Sequence, residues 1–585
     1  MDHASNLLLR IYIRSYCLGS FNVSEAPPNN ATISLIEKFS ENKDHFDHLR
    51  LHRGICVSHR CPSLKGRPEK RFANCAQTLL SEAYNISVRL NELEYCKVGD
   101  KPAPELWKPI DMVDLIFASI VCVLFVLNIV GTVYDSLRNP EGKANPYLLA
   151  WSVIANWKRL TFHSDDGDPR LSALNPIHGI RTLILLMVMF GHTVFFHFRA
   201  YLENPNFLEE MSRHPMAAFL HNGTVIVQTF IVLSSFLLGY NLLIHAEKNP
   251  INFSMRTLAQ CLLERISRMT PVQLVVVGAV ATWWPRIADG ALWAPLFWRE
   301  RDRCRRKWWT QALYLNNLLY SEDKCLIPTW YLAVDMQLYV VAAVITIIFT
   351  KNVKAALKTL ALLFISSVAV NFLVAYNWNL KAMLFITDPE NLRSQFDNEP
   401  SFTWLYSSPW SSLPASLAGL FLAFLYHHVL QIGFKPRQYF WMRTIHRSLI
   451  PCILLWIFAG YWIRDLESRE AIAVYAALDR SLYAVFVSAA IFGVFTKIDY
   501  VFWQFLSWRL WQIPSRMSLS IFMVHWSFSM MQIALSGLLH SSLVTIIEHW
   551  AITIGLSYVA SLPLYLLVES PAHKFFKILF LSTAK

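Results

Sequence analysis

A chain of 585 residues that is 54% hydrophobic and only 16% charged is not a soluble domain, since soluble domains carry roughly a quarter charged residues. A mean hydropathy of +0.33, with 21 Trp and 38 Phe, points to a bilayer, where aromatic side chains favour the membrane–water interfaces. The net charge of +12 is then expected in cytosolic loops and gives no reason to invoke nucleic acid.

Residues 1–109 differ from the rest. They hold Cys17, Cys56, Cys61, Cys75 and Cys96, three glycosylation sequons at Asn22, Asn30 and Asn85, and no long apolar run. Cysteines together with sequons suggest a small disulfide-bearing domain on the lumenal or extracellular side. A cytosolic segment with free thiols is the competing reading. The apolar patch near the start is interrupted by Arg10 and Arg14, so no clean leader peptide is visible. That, with the odd cysteine count, gives the expectation that more sequence precedes residue 1. A free thiol or an intersubunit disulfide explains the odd count equally well. Among Cys56, Cys61, Cys75 and Cys96 a compact link of undetermined pairing is expected.

Crossing a bilayer takes about 20 apolar residues. The first such run is 110–134, followed by a polar connection at 135–174. Further runs lie at 176–198, 218–244, 270–287, 329–350, 355–376, 413–432, 448–463, 471–495, 515–538 and 544–568. The expected fold is therefore an all-α polytopic membrane protein of about eleven transmembrane helices, with a tail at 573–585. Arg138, Lys143, Lys158, Arg159 and Arg170 follow the first span, which puts the N-terminus outside and the C-terminus in the cytosol. Counting on, the basic segments 255–268, 351–358, 435–447 and the tail from Lys574 all fall in the cytosol. One loop disagrees: 286–324 should lie outside, yet it reads RERDRCRRK at its centre. Cys304 and Cys325 share that loop and are expected to pair. The plasma membrane or the endoplasmic reticulum would host such a protein.

Ionisable groups inside spans are costly in lipid and are functional candidates by default. Arg181 and His192 are eleven residues apart on one helix, so they share a face about 16 Å apart along the axis. A buried histidine can accept a proton near neutral pH, or simply bridge two helices. Ser234, Ser235 and Gly239 in FIVLSSFLLGY read as close helix packing. Arg265 and Arg268 share a face and suit phosphate recognition, although snorkelling arginines would look the same. Asp335 and Gln337 lie in an apolar helix, where a carboxylate needs a cation or a histidine to orient. Ser518 and His525 are seven apart on the tenth span, and Glu569 lies at the end of the last.

In order, Arg181-x10-His192, FIVLSSFLLGY, RISR at 265–268, TWYLAVDMQLY, SLSIFMVHW and a terminal VESP closely resemble the acyltransferase-3 family, over about residues 175–572. Bacterial members often show W-S-L-x-V-E-x-Q where this chain has TWYLAVDMQ, so Asp335 stands for a glutamate. The N-terminal segment resembles the cysteine-bearing domain of the animal nose-resistant-to-fluoxetine branch, through RSYC at 14–17 and GICVSHRCP at 54–62. The resemblance implies a membrane-embedded O-acyltransferase. His192, Arg181 and Asp335 would be catalytic, and Arg265 and Arg268 would bind the acyl donor. Ser518 and His525 would line the same cavity. Acyl-CoA would be the co-substrate, a hydroxyl of a lipid or another small molecule the acceptor, and membrane lipids the surroundings. No bound cofactor or metal is implied. The alternative is a lipid or xenobiotic transporter or receptor that kept this scaffold without its chemistry.

Overall fold

The structure is a computed structural model that describes residues 15–24, 31–84, 86–98, 108–139, 143–162, 169–248 and 255–581. Asn30 and Asn85 lie outside the described residues. Asn22 is exposed, and its Nδ2 donates to Asn91 Oδ1 at 3.5 Å.

A three-stranded antiparallel sheet organises the N-terminal domain. Strand β1 (Ser15–Ser24) is followed by helix α1 (Ala31–Ser40), β2 (Arg50–Cys56), α2 (Pro68–Tyr84) and β3 (Ser87–Val98). The strand order is β2-β1-β3, with β1 central. This corrects the expected cysteine link. Because β1 pairs with β3, Cys17 sits directly opposite Cys96 and bridges to it, with Cα atoms 4.1 Å apart. Cys61 bridges Cys75, and Cys56, at the end of β2, is left as a thiol. Phe21, Phe72 and both bridges form a small core of their own.

The rest is a helical bundle, and the protein is a polytopic membrane protein. Its long helices are α3 (Met112–Leu137), α4 (Pro176–Arg199), α5 (Gln228–Lys248), α6 (Met255–Ala281), α7 (Arg299–Ala312), α8 (Trp330–Phe349), α9 (Val353–Asn377), α10 (Pro409–Gln431), α11 (Phe440–Ile463), α12 (Arg469–Phe495), α13 (Ser518–Leu535) and α14 (Leu543–Leu564). Among the described residues, ten helices are long and apolar enough to span a membrane, one fewer than expected. The difference is the fourth, expected at 270–287. Its helix, α6, runs for 27 residues, but Arg256, Glu264, Arg265 and Arg268 make its first half too polar to count as a span on composition. The helix expected at 448–463 starts instead at Phe440. α3 stands at the periphery, with Leu115, Ile116, Val123 and Phe125 exposed for lipid contact. At the centre, α5 and α10 touch backbone to backbone. A Cβ on Gly419 would lie 2.3 Å from Val232 O, and Ser235 and Ser416 share a hydrogen bond at 2.8 Å.

The disulfide domain is docked on one end of the bundle. Phe46 N donates to Glu209 Oε1 at 2.9 Å, Tyr95 Oη to Ala291 O at 2.7 Å, and Asp47 N to Glu390 Oε1 at 2.9 Å. The arginine-rich stretch lies at this same end, as α7, and carboxylates meet its charge. Arg299 pairs with Glu94 at 2.6 Å, Arg301 with Asp111 at 3.4 Å, Arg303 with Asp397 at 3.3 Å and Arg306 with Asp323 at 2.8 Å; Arg305 pairs with Asp111 and Asp114. A count of positive residues misreads such a loop because the acids that neutralise it are distant in sequence. Cys304 and Cys325 are bridged, with Cα atoms 4.8 Å apart.

Candidate functional site

Five of the residues singled out from the sequence line one polar cavity of about 370 Å³: Arg181 on α4, Arg265 and Arg268 on α6, Asp335 on α8 and Ser518 on α13. Phe198, at the far end of α4, packs on Phe46 of the disulfide domain. Arg181, near the start of α4, therefore faces away from that domain. Arg265 ion-pairs with the buried Asp335, donates to Ser234 Oγ at 2.9 Å and lies over the Tyr339 ring at 4.5 Å. Arg268 approaches Glu569 at 3.8 Å, and Glu569 accepts from Ser520 Oγ at 2.6 Å. Glu264, on the cavity rim, is taken by Lys577 at 2.6 Å. Arg181 forms no ion pair with a carboxylate among the described residues. Three guanidiniums thus face two carboxylates that can answer them, which leaves the cavity positive and suited to a phosphate-bearing ligand.

His192 does not join them. It opens on a second, smaller cavity of about 160 Å³, lined mainly by apolar side chains. Its Nδ1 lies 2.8 Å from His525 Nε2, and His525 Nδ1 lies 2.7 Å from Phe522 O. This chain fixes the protons. A carbonyl only accepts, so His525 Nδ1 carries hydrogen; its Nε2 then accepts from His192 Nδ1–H, and His192 Nε2 keeps a lone pair. His525 therefore acts on His192; it does not line the polar cavity, where the sequence reading places it beside Ser518. Trp330 lines the small cavity and Tyr331 the polar one, and the Tyr331 and Phe522 ring centroids are 5.5 Å apart.

Residues 175–567 match the family model described as an acyltransferase domain, Acyl_transf_3. The chain belongs to that acyltransferase family. It is also 23% identical over 445 residues to Nose resistant to fluoxetine protein 6 of Caenorhabditis elegans, a match that covers 70% of this chain. It spans about half of that relative, 52% of its length. No solved structure matches the chain.

In this acyltransferase-family chain the sequence pattern missed several site residues. Ser234 reads as packing but holds the guanidinium of Arg265. Tyr331 and Tyr339, which the sequence did not single out, wall the polar cavity. Glu569, which the sequence did single out, lies in a π-helical turn, Tyr565–Glu569, that leads into a short helix, Ser570–Phe576; such turns are frequent at functional sites. The spacing of VESP in an apolar run was the one signal available for it.

Proposed function

We propose that this chain is a membrane O-acyltransferase that moves an acyl group from acyl-CoA to a hydroxyl. Arg181, Arg265 and Arg268 would hold the donor's phosphates in the polar cavity, and its arm would have to part the Tyr331–Phe522 contact to reach His192. Arg181 and His192 are separated by about 16 Å along α4, so the donor must carry a long flexible arm between its phosphates and its reacting carbonyl. His192 Nε2 takes the acceptor hydroxyl's proton as its oxygen attacks the thioester carbonyl. The carbon–sulfur bond then breaks, and the same proton leaves with the thiol. His525 stabilises the imidazolium in between by accepting from Nδ1–H. The observation that carries this reading is the hydrogen-bond chain that leaves His192 Nε2 unprotonated and open to a cavity. The test is purified protein with labelled acyl-CoA and lipid extract. Wild type should form acylated product, His192→Ala should lose it, and Arg268→Ala should raise the donor KM about tenfold by losing one charged hydrogen bond. Absence of product from wild type with every extract would refute it.

A second reading is transport of a lipid or xenobiotic. Two separate cavities within the bundle, one polar and one mainly apolar, favour it. Transport without covalent change would leave His192→Ala active in a vesicle flux assay, whereas acyl transfer would not.

A further inference from the structure

The small cavity has an unusual wall. Gly191, next to His192, lines it, and a Cβ placed there would meet nothing within 4 Å. Glycine in a helix interior costs roughly 1 kcal/mol against alanine, and neither a tight turn nor helix contact requires it here. Gly223, across the cavity, is nearly as free, its Cβ meeting only Ile226 Cδ1 at 3.7 Å. Neither glycine puts a side chain on the wall, and both are partly exposed. Met187, one turn before Gly191 and half-way along α4, is 43% exposed. At mid-length of a spanning helix, that exposure faces lipid.

The facing wall is broken backbone. Short turns at Pro215–Ala217, Ala218–His221 and Gly223–Val227 precede the regular helix α5, within one apolar span. Irregular backbone at membrane depth is tolerated where it is buried in protein or lines a cavity. On this wall His221 is 5% exposed, and its Nδ1 lies 2.8 Å from Thr387 Oγ1. Among the described residues, no Asp, Glu, Lys or Arg lines the cavity.

We infer that the small cavity is a lateral binding site for a neutral lipid alcohol, which enters from the bilayer beside Gly191 and Gly223 and presents its hydroxyl to His192. The wall lacks the cation that a phosphate headgroup would need, and the opening faces lipid rather than water. This rests on the acyltransferase reading and names its acceptor class.

Photoreactive, alkyne-tagged diacylglycerol and sterol would be added to the full chain in phosphatidylcholine nanodiscs, with a matching phosphatidic acid probe as control. Labelled peptides should contain residues 187–192 or 219–227. Labelling should fall about tenfold or more in Gly191→Trp, a loss of about 1.4 kcal/mol. It should persist in Gly191→Ala, whose added Cβ meets nothing within 4 Å. If Gly191→Trp fails to fold, Thr224→Trp blocks the mouth from the other wall. Labelling confined to other segments, undiminished by both blocks, or equally strong with phosphatidic acid would overturn the assignment. Acyl transfer to a water-soluble hydroxyl with no labelling here would overturn it too, leaving the acyltransferase reading in place. Labelling as expected without any acyl transfer would do the reverse.

Discussion

Removing His525 is the sharpest test of the histidine chain. His525 is fully buried and joins His192 Nδ1 to Phe522 O by contacts of 2.8 and 2.7 Å. In His525→Ala the His192 Nδ1–H loses its acceptor and the ring is free to take the other tautomer, which would put hydrogen on the nitrogen that must accept. Leaving one buried donor unmet costs roughly 1–3 kcal/mol, so kcat should fall about five- to 150-fold with little change in either KM. His192→Ala removes the base itself and should cost about 10²–10⁴. The double variant should be no slower than His192→Ala, because the two residues act as one unit. His525→Gln, whose side-chain oxygen can accept from Nδ1–H, should recover much of the loss; a purely structural role for His525 would give no such recovery. The assay is initial-rate acyl transfer by purified protein in nanodiscs, with thermal unfolding of each variant as control. His192→Ala remaining within about threefold of wild type, or multiplicative losses in the double variant, would refute the argument.

Asp335→Asn should lower stability by about 3 kcal/mol, near the low end for breaking a buried pair, because Arg265 keeps 22% of its side chain open to the cavity; the melting temperature measures it. Cys304→Ser opens a bridge of sequence separation 21, for which the chain-entropy model gives roughly 3 kcal/mol; non-reducing mobility and the melting temperature should shift together. Burial, then the charges of Arg393, Arg50 and Arg53, push His52 from 6.5 down to about 3 where it meets Tyr201 at the domain interface. The undocked ring takes up a proton first, so docking is full above pH 6.5 and weakens as the pH falls from 6.5 towards 3. The loss is about 2 kcal/mol at pH 5, and His52→Gln should flatten it in amide exchange of residues 46–56.

Much of this architecture was legible because membrane physics writes it in long runs. Twenty apolar residues announce a span without help from the rest of the chain. The common face of Arg181 and His192 follows from a single helix, and an acid such as Asp335 in an apolar helix demands a cation, which Arg265 supplies. What was not legible depends on the meeting of distant segments. The polar cavity is walled in part by Tyr331 and Phe522, which meet although their helices are far apart in sequence. The pairing of Cys17 with Cys96 follows from which strand is central, and spacing does not reveal that. The polar half of α6 defeats a hydropathy count because its arginines face a cavity that the sequence does not contain in any one place. His221 sits in a broken turn, where helical periodicity says nothing about direction.

The docking of the disulfide domain has a consequence for biosynthesis. Asp44 pairs with Arg464, 420 residues later, and Lys43 pairs with Asp465 at 2.8 Å. The domain is among the first parts of the described chain to leave the ribosome, but those partners do not exist until the α11–α12 turn has been made. Its sheet and bridges can form early, while its seat on the bundle is completed only after most of the helices have been inserted. Such a late-closing latch reports on the whole chain: a helix inserted in the wrong orientation before residue 464 would put the partners on opposite sides of the membrane. The undocked surface around Asp44, Phe46 and His52 would then stay exposed, as a standing mark of a misassembled molecule.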